Sequence, residues 1–191
     1  MITIDDLPNF AEPSDVEVFT KGQIEASDPR VPDALAAVTS SIRREAGWHI
    51  GPVVENHTLK LDGPGGRKLN LPTLKLVDLV SLTQLGVALD LDGDSHDWSE
   101  LGLVEKRDGS CWTDRYRKIE VVMTHGFEDL ADLKFLTLSL VSRGLSSPLG
   151  ATREQAGSMA ISWATPQQGV SGGLVPLNYE EQIMAHYKLV T

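Results

Sequence analysis

The residues best suited to chemistry form a run of carboxylates, Asp90-Leu91-Asp92-Gly93-Asp94-Ser95. Closely spaced carboxylates in a loop are typical Ca²⁺ ligands, but such a loop has a glycine at its sixth position and a bidentate glutamate at its twelfth. Here those positions hold Ser95 and Leu101. We therefore interpret the segment as a polar loop between strands rather than as a calcium site.

No other pattern indicates catalysis or cofactor binding. The single cysteine, Cys111, excludes an internal disulfide and a multi-cysteine metal site, and no histidine flanks it. Gly63-Pro64-Gly65-Gly66 fits a hairpin turn and no phosphate-binding loop. The histidines lack metal-ligand spacing; they are His49, His57, His96, His125 and His186. The sequence therefore predicts no enzyme, no metal site and no cofactor.

The charge of the chain is strongly negative, −10 in total. Residues 1–30 contain seven acidic and two basic residues, a net charge of −5, half of the total. A second acidic cluster consists of Asp90, Asp92, Asp94, Asp97 and Glu100. Such a protein does not grip phosphate backbones by counterion release. The acidic residues either face solvent or form a wall along which DNA slides.

Basic residues are grouped at three places, of which the richest is Arg115-Tyr116-Arg117-Lys118. The others are Arg43-Arg44 and Arg67-Lys68. An aromatic residue among cations could contact nucleic acid. In a chain this acidic, contacts with carboxylates of a neighbouring subunit are the favoured interpretation.

The length and composition fit one ordinary domain with extended arms. The chain has 191 residues, 41% of them hydrophobic, which is enough for a core. No segment approaches the ~20 apolar residues that span a bilayer, and the N-terminus lacks the pattern of a signal peptide. We expect a soluble, non-exported protein.

The hydrophobic pattern predicts an α+β fold in which helices flank an inserted antiparallel β-meander or small barrel. Residues 1–27 are predicted to be an acidic arm with no more than one short helical turn. The core, 28–164, comprises a helix at 28–46, a β-region at 53–124, a helix at 129–145 and a strand at 159–164. Residues 165–191 are predicted to form a linker and a short docking helix.

The last helix is expected to need a partner. Asn178 is its predicted N-cap, with Glu181 as the capping-box residue, and Ile183, Met184 and Tyr187 share one face. A helix of about ten residues is marginal when isolated. The first helix also has a narrow face of small residues that favours close helix contacts.

Three motifs together carry a resemblance to a protein family. They are Gly47-Trp48-His49 after the first helix, Thr124-His125-Gly126-Phe127 before the second, and Ser146–Glu154 after it. In this order they resemble the head-to-tail adaptor (head-completion, or connector) proteins of long-tailed bacteriophages, over roughly residues 28–165. Unlike many relatives, this chain has no clear amphipathic helix in Phe10–Ser27.

The resemblance implies a structural protein of the virion neck, located at the head–tail junction and assembled in the host cytoplasm. It implies a ring, expected to be a dodecamer, that lies beneath the portal protein and extends the channel for double-stranded DNA. The next neck component, a stopper, or the tail would bind to this ring. Portal docking is expected from Tyr179, Ile183, Met184 and Tyr187.

The same resemblance makes one acidic cluster a candidate lining of the DNA channel: Asp90, Asp92, Asp94, Asp97 and Glu100. Two other interpretations remain open. One is another neck or tail component, such as a stopper or a tail-completion protein. The other is a β-rich ligand-binding module, which would need a convergent polar pocket.

Overall fold

A computed structural model describes residues 7–91, 95–146, 153–156, 159–162 and 177–189. The chain divides into two compact units. The β unit contains Gly47–Asp129, and the helical unit contains Pro8–Ala46 and Leu130–Lys188. Helices and antiparallel sheets confirm the predicted α+β class.

The described residues of the helical unit form four helices and one small hairpin. Its elements are α1 (Pro13–Phe19), α2 (Arg30–Ala46), α3 (Ala131–Ser146), β8 (Arg153–Ala156), β9 (Met159–Ser162) and α4 (Asn178–Ala185). β8 and β9 pair antiparallel, so the predicted strand near 159 has a partner that the sequence pattern did not reveal. The remainder of the predicted linker lies outside the described residues.

α2 and α3 form the centre of this unit. Buried apolar residues on α2 recur every three or four positions, so they fall on one face of the helix. The buried residues are Val31, Leu35, Val38, Ile42 and Ala46 on α2, and Leu133, Leu136, Leu138, Leu140 and Val141 on α3. Burial of these two stripes, rather than helix propensity, holds the pair together.

The predicted N-terminal arm differs from the structure, because residues 13–19 form helix α1. The Asp15 carboxylate accepts a hydrogen bond from the Glu12 backbone N–H at 2.9 Å, and Pro13 occupies the first turn, where its missing N–H costs nothing. Val16 is fully buried. With seven residues, α1 is too short to show the periodicity by which a helix is found in sequence.

The residues before α1 are also fixed by packing. Phe10 is buried, and the Arg43 guanidinium lies 4.8 Å from its ring centroid. Arg43 also donates to the Pro8 carbonyl at 2.8 Å. The two arginines of the Arg43-Arg44 pair therefore have different environments, since Arg43 is buried and Arg44 is exposed.

The β unit consists of two antiparallel sheets. Its strands are β1 (Val54–Leu61), β2 (Lys68–Asn70), β3 (Leu76–Gln84), β4 (Val87–Ala88), β5 (His96–Trp98), β6 (Leu103–Lys106) and β7 (Ile119–His125). The four-stranded sheet has the order β1-β7-β3-β4, and the three-stranded sheet has the order β2-β6-β5. Neither order is a simple meander in chain sequence.

The hairpin predicted at Gly63–Gly66 was wrong, since β1 pairs with β7 whereas β2 pairs with β6. The segment instead crosses between the sheets and packs against residues 113–115. Gly63 N–H donates to the Arg115 carbonyl at 3.1 Å, and Gly65 N–H donates to the Thr113 carbonyl at 3.0 Å. A Cβ atom on Gly63 would lie 1.9 Å from the Thr113 oxygen, so only glycine allows this approach.

Trp112 anchors the core of the β unit. It is only 2% exposed, its indole N–H donates to the Arg67 carbonyl at 3.1 Å, and the Lys106 ammonium lies 4.6 Å from its ring centroid. The apolar residues of this core are Leu69, Leu71, Leu76, Leu79, Leu82, Val104, Trp112, Ile119, Val121 and Met123.

We predict that Trp112→Ala lowers the free energy of unfolding by about 3–5 kcal/mol, because it leaves a large cavity and an unpaired carbonyl. Urea denaturation followed by circular dichroism measures the change. Tyr116→Ala is the matched control, because Tyr116 is 80% exposed and its loss should change stability by less than about 0.5 kcal/mol. Equal effects of the two substitutions would contradict the assignment of Trp112 to the core.

Candidate assembly surfaces

Helix α4 is anchored by a buried ion pair. Glu180 is fully buried, and its carboxylate accepts from the Arg143 guanidinium at 2.8 Å and from the Leu177 backbone N–H at 2.7 Å. Leu177 is thus the N-cap, and Glu180 takes the capping role predicted for Glu181. The Tyr179 hydroxyl also donates to Glu180, at 3.2 Å, and burial, followed by the nearby carboxylate, raises the pKa of Tyr179.

The four residues predicted to dock on the portal differ in environment. Tyr179 is 49% exposed, whereas Ile183 and Met184 are half-buried. Tyr187 lies just after α4, and its hydroxyl donates to the Asp132 carboxylate at 2.8 Å. Tyr179 is therefore the most accessible of the four.

A groove bounded by α2, α3 and α4 occupies one side of the helical unit; we call it the α4 groove. Its volume is about 560 Å³, within the range of pockets that enclose a ligand or several side chains. Apolar groups line it together with charged residues: Ala37, Val38, Ser41, Ile42, Arg44, Glu45, Leu140, Glu181, Met184, Ala185 and Lys188.

The acidic cluster of the β unit is partly neutralised by its own chain. Asp97 forms an ion pair with Arg107 at 2.8 Å, and Glu100 forms one with Lys75 at 2.7 Å. Hydrogen bonds from these cations lower the pKa of both carboxyls, so both stay charged at neutral pH. The structure therefore places two of the five candidate channel residues in local ion pairs.

The other three members of the acidic cluster are less informative. Asp92 and Asp94 lie outside the described residues. Asp90 is exposed, and its backbone carbonyl accepts from the Ser95 hydroxyl at 2.6 Å. Within the described part of the chain, no group of three or more His, Cys, Asp or Glu side chains could hold a metal ion.

The basic segment 115–118 lies at one end of the four-stranded sheet. Arg115, Arg117 and Lys118 surround a shallow hollow together with Lys60, which pairs with Glu120 at 3.4 Å. Tyr116 beside them is 80% exposed. This patch is the main concentration of positive charge that the sequence predicted, and it is accessible.

Two of the three motifs behind the family resemblance meet in the β unit. The Trp48 ring stacks on His125 with centroids 6.2 Å apart and lies 5.9 Å from the Phe127 ring. Phe127 N–H donates to the Ile50 carbonyl at 2.8 Å. At Gly126, where φ is +121°, a Cβ atom would lie 2.7 Å from the Pro52 oxygen. The third motif, after Ser146, lies mostly outside the described residues.

Sequence spacing did not reveal that this contact also gathers three histidines. His57 Nδ1 lies 2.9 Å from His125 Nε2, and the His49 and His125 ring centroids are 4.4 Å apart. His125 is 1% exposed, and its Nδ1 has no hydrogen-bond partner in the described structure. Burial, reinforced by His49 and His57, lowers the pKa of His125 to about 3. His125 is therefore neutral at physiological pH and packs against the other two rings.

No helix among the described residues is long and apolar enough to cross a bilayer.

No protein-family model and no curated protein sequence matches the chain. Among the solved structures that share its fold is the neck of an empty gene transfer agent (GTA) particle computed with C6 symmetry. The TM-score is 0.56 and the identity 13%, over 100% of this chain and 93% of that chain.

Another is the neck of a native GTA particle computed with C12 symmetry. Its TM-score is 0.53 and its identity 12%, over 94% of this chain and 91% of that chain. The chain has the fold of a particle-neck protein. Because the match extends over nearly the whole of both chains, it includes the helices as well as the sheets, although the low identity carries no residue-level function.

We predict that His125 makes the protein less stable in mild acid. Its folded pKa lies below its unfolded value, so the unfolded chain binds the extra proton; stability is fully present above about pH 6.5 and is lost progressively toward about pH 3. Between pH 7.5 and pH 5 the loss should be about 2 kcal/mol.

Urea unfolding of the protein and of His125→Gln at both pH values measures this effect. The variant should lose most of the pH dependence, whereas His186→Gln, at an exposed position, should keep it. The same pH dependence in all three proteins would contradict the assignment to His125.

Proposed function

We propose that this chain is a structural component of a phage-like virion neck, an adaptor that forms a ring beneath the portal and joins head to tail. The observation that carries the proposal is the fold, shared along nearly the full length with chains of particle necks that have C6 and C12 symmetry. The motifs that contain Trp48 and His125 pack against each other. This contact supports the assignment to an adaptor among neck proteins.

The surfaces of the chain are better suited to binding other proteins in an assembly than to converting a substrate. The described residues offer accessible apolar groups, a basic patch and a groove, whereas His49 and His125 of the histidine cluster are buried. We propose that the ring is a dodecamer, that its partners are the portal and the next neck component or tail, and that it assembles in the host cytoplasm.

A direct test adds the purified chain to portal rings from the same particle and images the product by electron microscopy. The proposal expects a second ring, coaxial with the portal. Attachment only at the far side of an already assembled neck would instead support a stopper or tail-completion protein. Turnover of a substrate that disappears with a single substitution would contradict a purely structural role.

We further propose that α4 contacts the portal through Tyr179, Ile183, Met184 and Tyr187. The buried Arg143–Glu180 pair holds this short helix in a defined orientation, so an exposed aromatic residue on it is presented at little entropic cost. Tyr179 should be the main anchor because about half of its surface is free.

We predict that Tyr179→Ala weakens binding to portal rings by about 2 kcal/mol, roughly thirtyfold, as expected for a buried interface aromatic. Surface plasmon resonance on immobilised portal measures the loss. Gln182→Ala, at an exposed position of the same helix, is the control and should bind normally. Unchanged affinity of the Tyr179 variant would rule out α4 as the portal contact.

The acidic cluster from Asp90 to Glu100 is proposed to line the channel. A wall of carboxylates repels the duplex over a Debye length of about 8 Å and so avoids the friction of Lys and Arg contacts. The cations paired with Asp97 and Glu100 reduce the share of these two residues in this repulsion.

We predict that Asp92→Lys with Asp94→Lys makes assembled rings retain duplex DNA at 0.15 M salt, with an affinity that falls steeply as salt rises. Asp92→Asn with Asp94→Asn is the matched control, since it removes charge without adding phosphate contacts. Filter binding at several salt concentrations separates the two variants. If the lysine variant retains no more DNA than the asparagine variant, the cluster does not face the channel.

A further inference from the structure

The helical unit exposes a cluster of large apolar side chains, which we call the aromatic knob: Val18, Phe19 and Phe135. Their exposed fractions are 78%, 38% and 52%. The two phenylalanine rings meet edge to face, with centroids 5.7 Å apart, and the Lys134–Asp15 ion pair at 2.7 Å joins the same two helices. A rigid, exposed cluster of this kind marks an interaction surface more often than a solvated one.

The knob and the α4 groove lie on opposite flanks of the α2–α3 pair. On α2, Thr39 contacts the segment before α1, whereas Ser41 lines the groove. On α3, Lys134 binds α1, whereas Asp132 binds Tyr187 after α4. Residues two positions apart on a helix point about 200° apart. α1 and α4 are therefore on opposite sides.

We infer that copies of this chain associate head to tail, with the aromatic knob of one copy seated in the α4 groove of the next. The inference rests on the proposed ring. A ring of identical subunits needs two different complementary surfaces on each subunit, one for each neighbour. The helical unit provides a projecting apolar surface on one flank and a concave surface with an apolar floor on the other.

Charge favours a second copy as the occupant of the groove. The stretch Glu12–Phe19 carries three acidic residues and no basic residue, and of these only Asp15 has a cation partner, Lys134, in the described structure. The groove carries both signs of charge: Arg44 on α2 is exposed and forms no ion pair with a described residue, Glu45 pairs with Lys188, and Glu181 on α4 is exposed. Seating the knob with Glu17 beside Arg44 on the α2 side, rather than beside Glu181 on the α4 side, sets the partner and the register.

A cysteine cross-link tests this contact inside assembled necks. The starting protein is Cys111→Ser, which removes the single native thiol. Adding Val18→Cys together with Ala37→Cys should give a ladder of disulfide-linked multimers on mild oxidation, since each chain links to two neighbours. Either cysteine alone should give only monomers, because an asymmetric contact never brings two identical positions together.

Charge substitutions provide an independent test at the same two exposed positions. Val18→Lys faces Arg44 and Ala37→Glu faces the acidic α1, so each alone should reduce incorporation into necks at least tenfold. The double variant Val18→Lys/Ala37→Glu should recover most of the loss, because the new charges then attract across the interface. Ala36→Glu and Val77→Lys, at exposed positions that belong neither to the groove lining nor to the knob, should assemble normally.

The outcomes separate the inference from the proposed function. If the wild-type chain enters necks but the cysteine pair gives no ladder and the single charge variants assemble normally, the knob and groove do not join subunits, whereas the neck assignment stands. If the single charge variants no longer bind portal rings but still form free rings as the wild-type chain does, the groove is a portal site rather than a contact between subunits, and the inference is overturned. A wild-type chain that never enters a neck overturns both.

Discussion

Pairing of the central strand β7 on both of its edges is the constraint on which the β unit depends. β7 pairs antiparallel with β1 and with β3, and its side chains alternate strictly between buried and half-buried positions. A slip of one residue would turn Ile119, Val121 and Met123 out of the core. The register places Val54 opposite His125, so the chain leaves the unit beside the point where it entered. α2 and α3, which precede and follow this unit, can therefore pack together although they are far apart in sequence.

The helical unit depends instead on side chains that hold short helices against a longer pair. α1 is secured by buried Val16 and by the Lys134–Asp15 contact, and α4 is secured by Arg143 and Glu180. Removing one partner of a buried ion pair commonly costs 3–5 kcal/mol, although the intact pair adds little net stability. Its contribution here is orientation, because α4 is too short to hold a fixed position by itself. Orientation is what an assembly surface requires.

The net charge of −10 does not reveal that acidic and basic side chains form local ion pairs and separate charged regions. Asp97 and Glu100 are balanced by Arg107 and Lys75, and exposed pairs of this kind contribute little to stability. They do reduce the field that the acidic cluster projects. The basic patch around Arg115 and the acidic stretch around α1 remain as regions of opposite sign, one in each unit. Regions of opposite charge on one chain favour association of copies in a defined order.

The sequence by itself determined the class of the fold, the two long helices and most of the strands. It did so because helix and strand periodicities are local: Leu35, Val38 and Ile42 reveal a buried helix face without knowledge of what covers it. It also indicated an assembly protein, through the family motifs and the lack of any recognisable catalytic pattern. Tertiary structure alone decided which strands pair, that residues 13–19 form a helix, and that three histidines lie together beside Trp48. These features depend on contacts between residues distant in the chain, such as His57 with His125, and no local pattern encodes such a contact. The hairpin at Gly63–Gly66 failed as a prediction for the same reason, since turn residues permit a reversal but strand pairing decides where the chain goes.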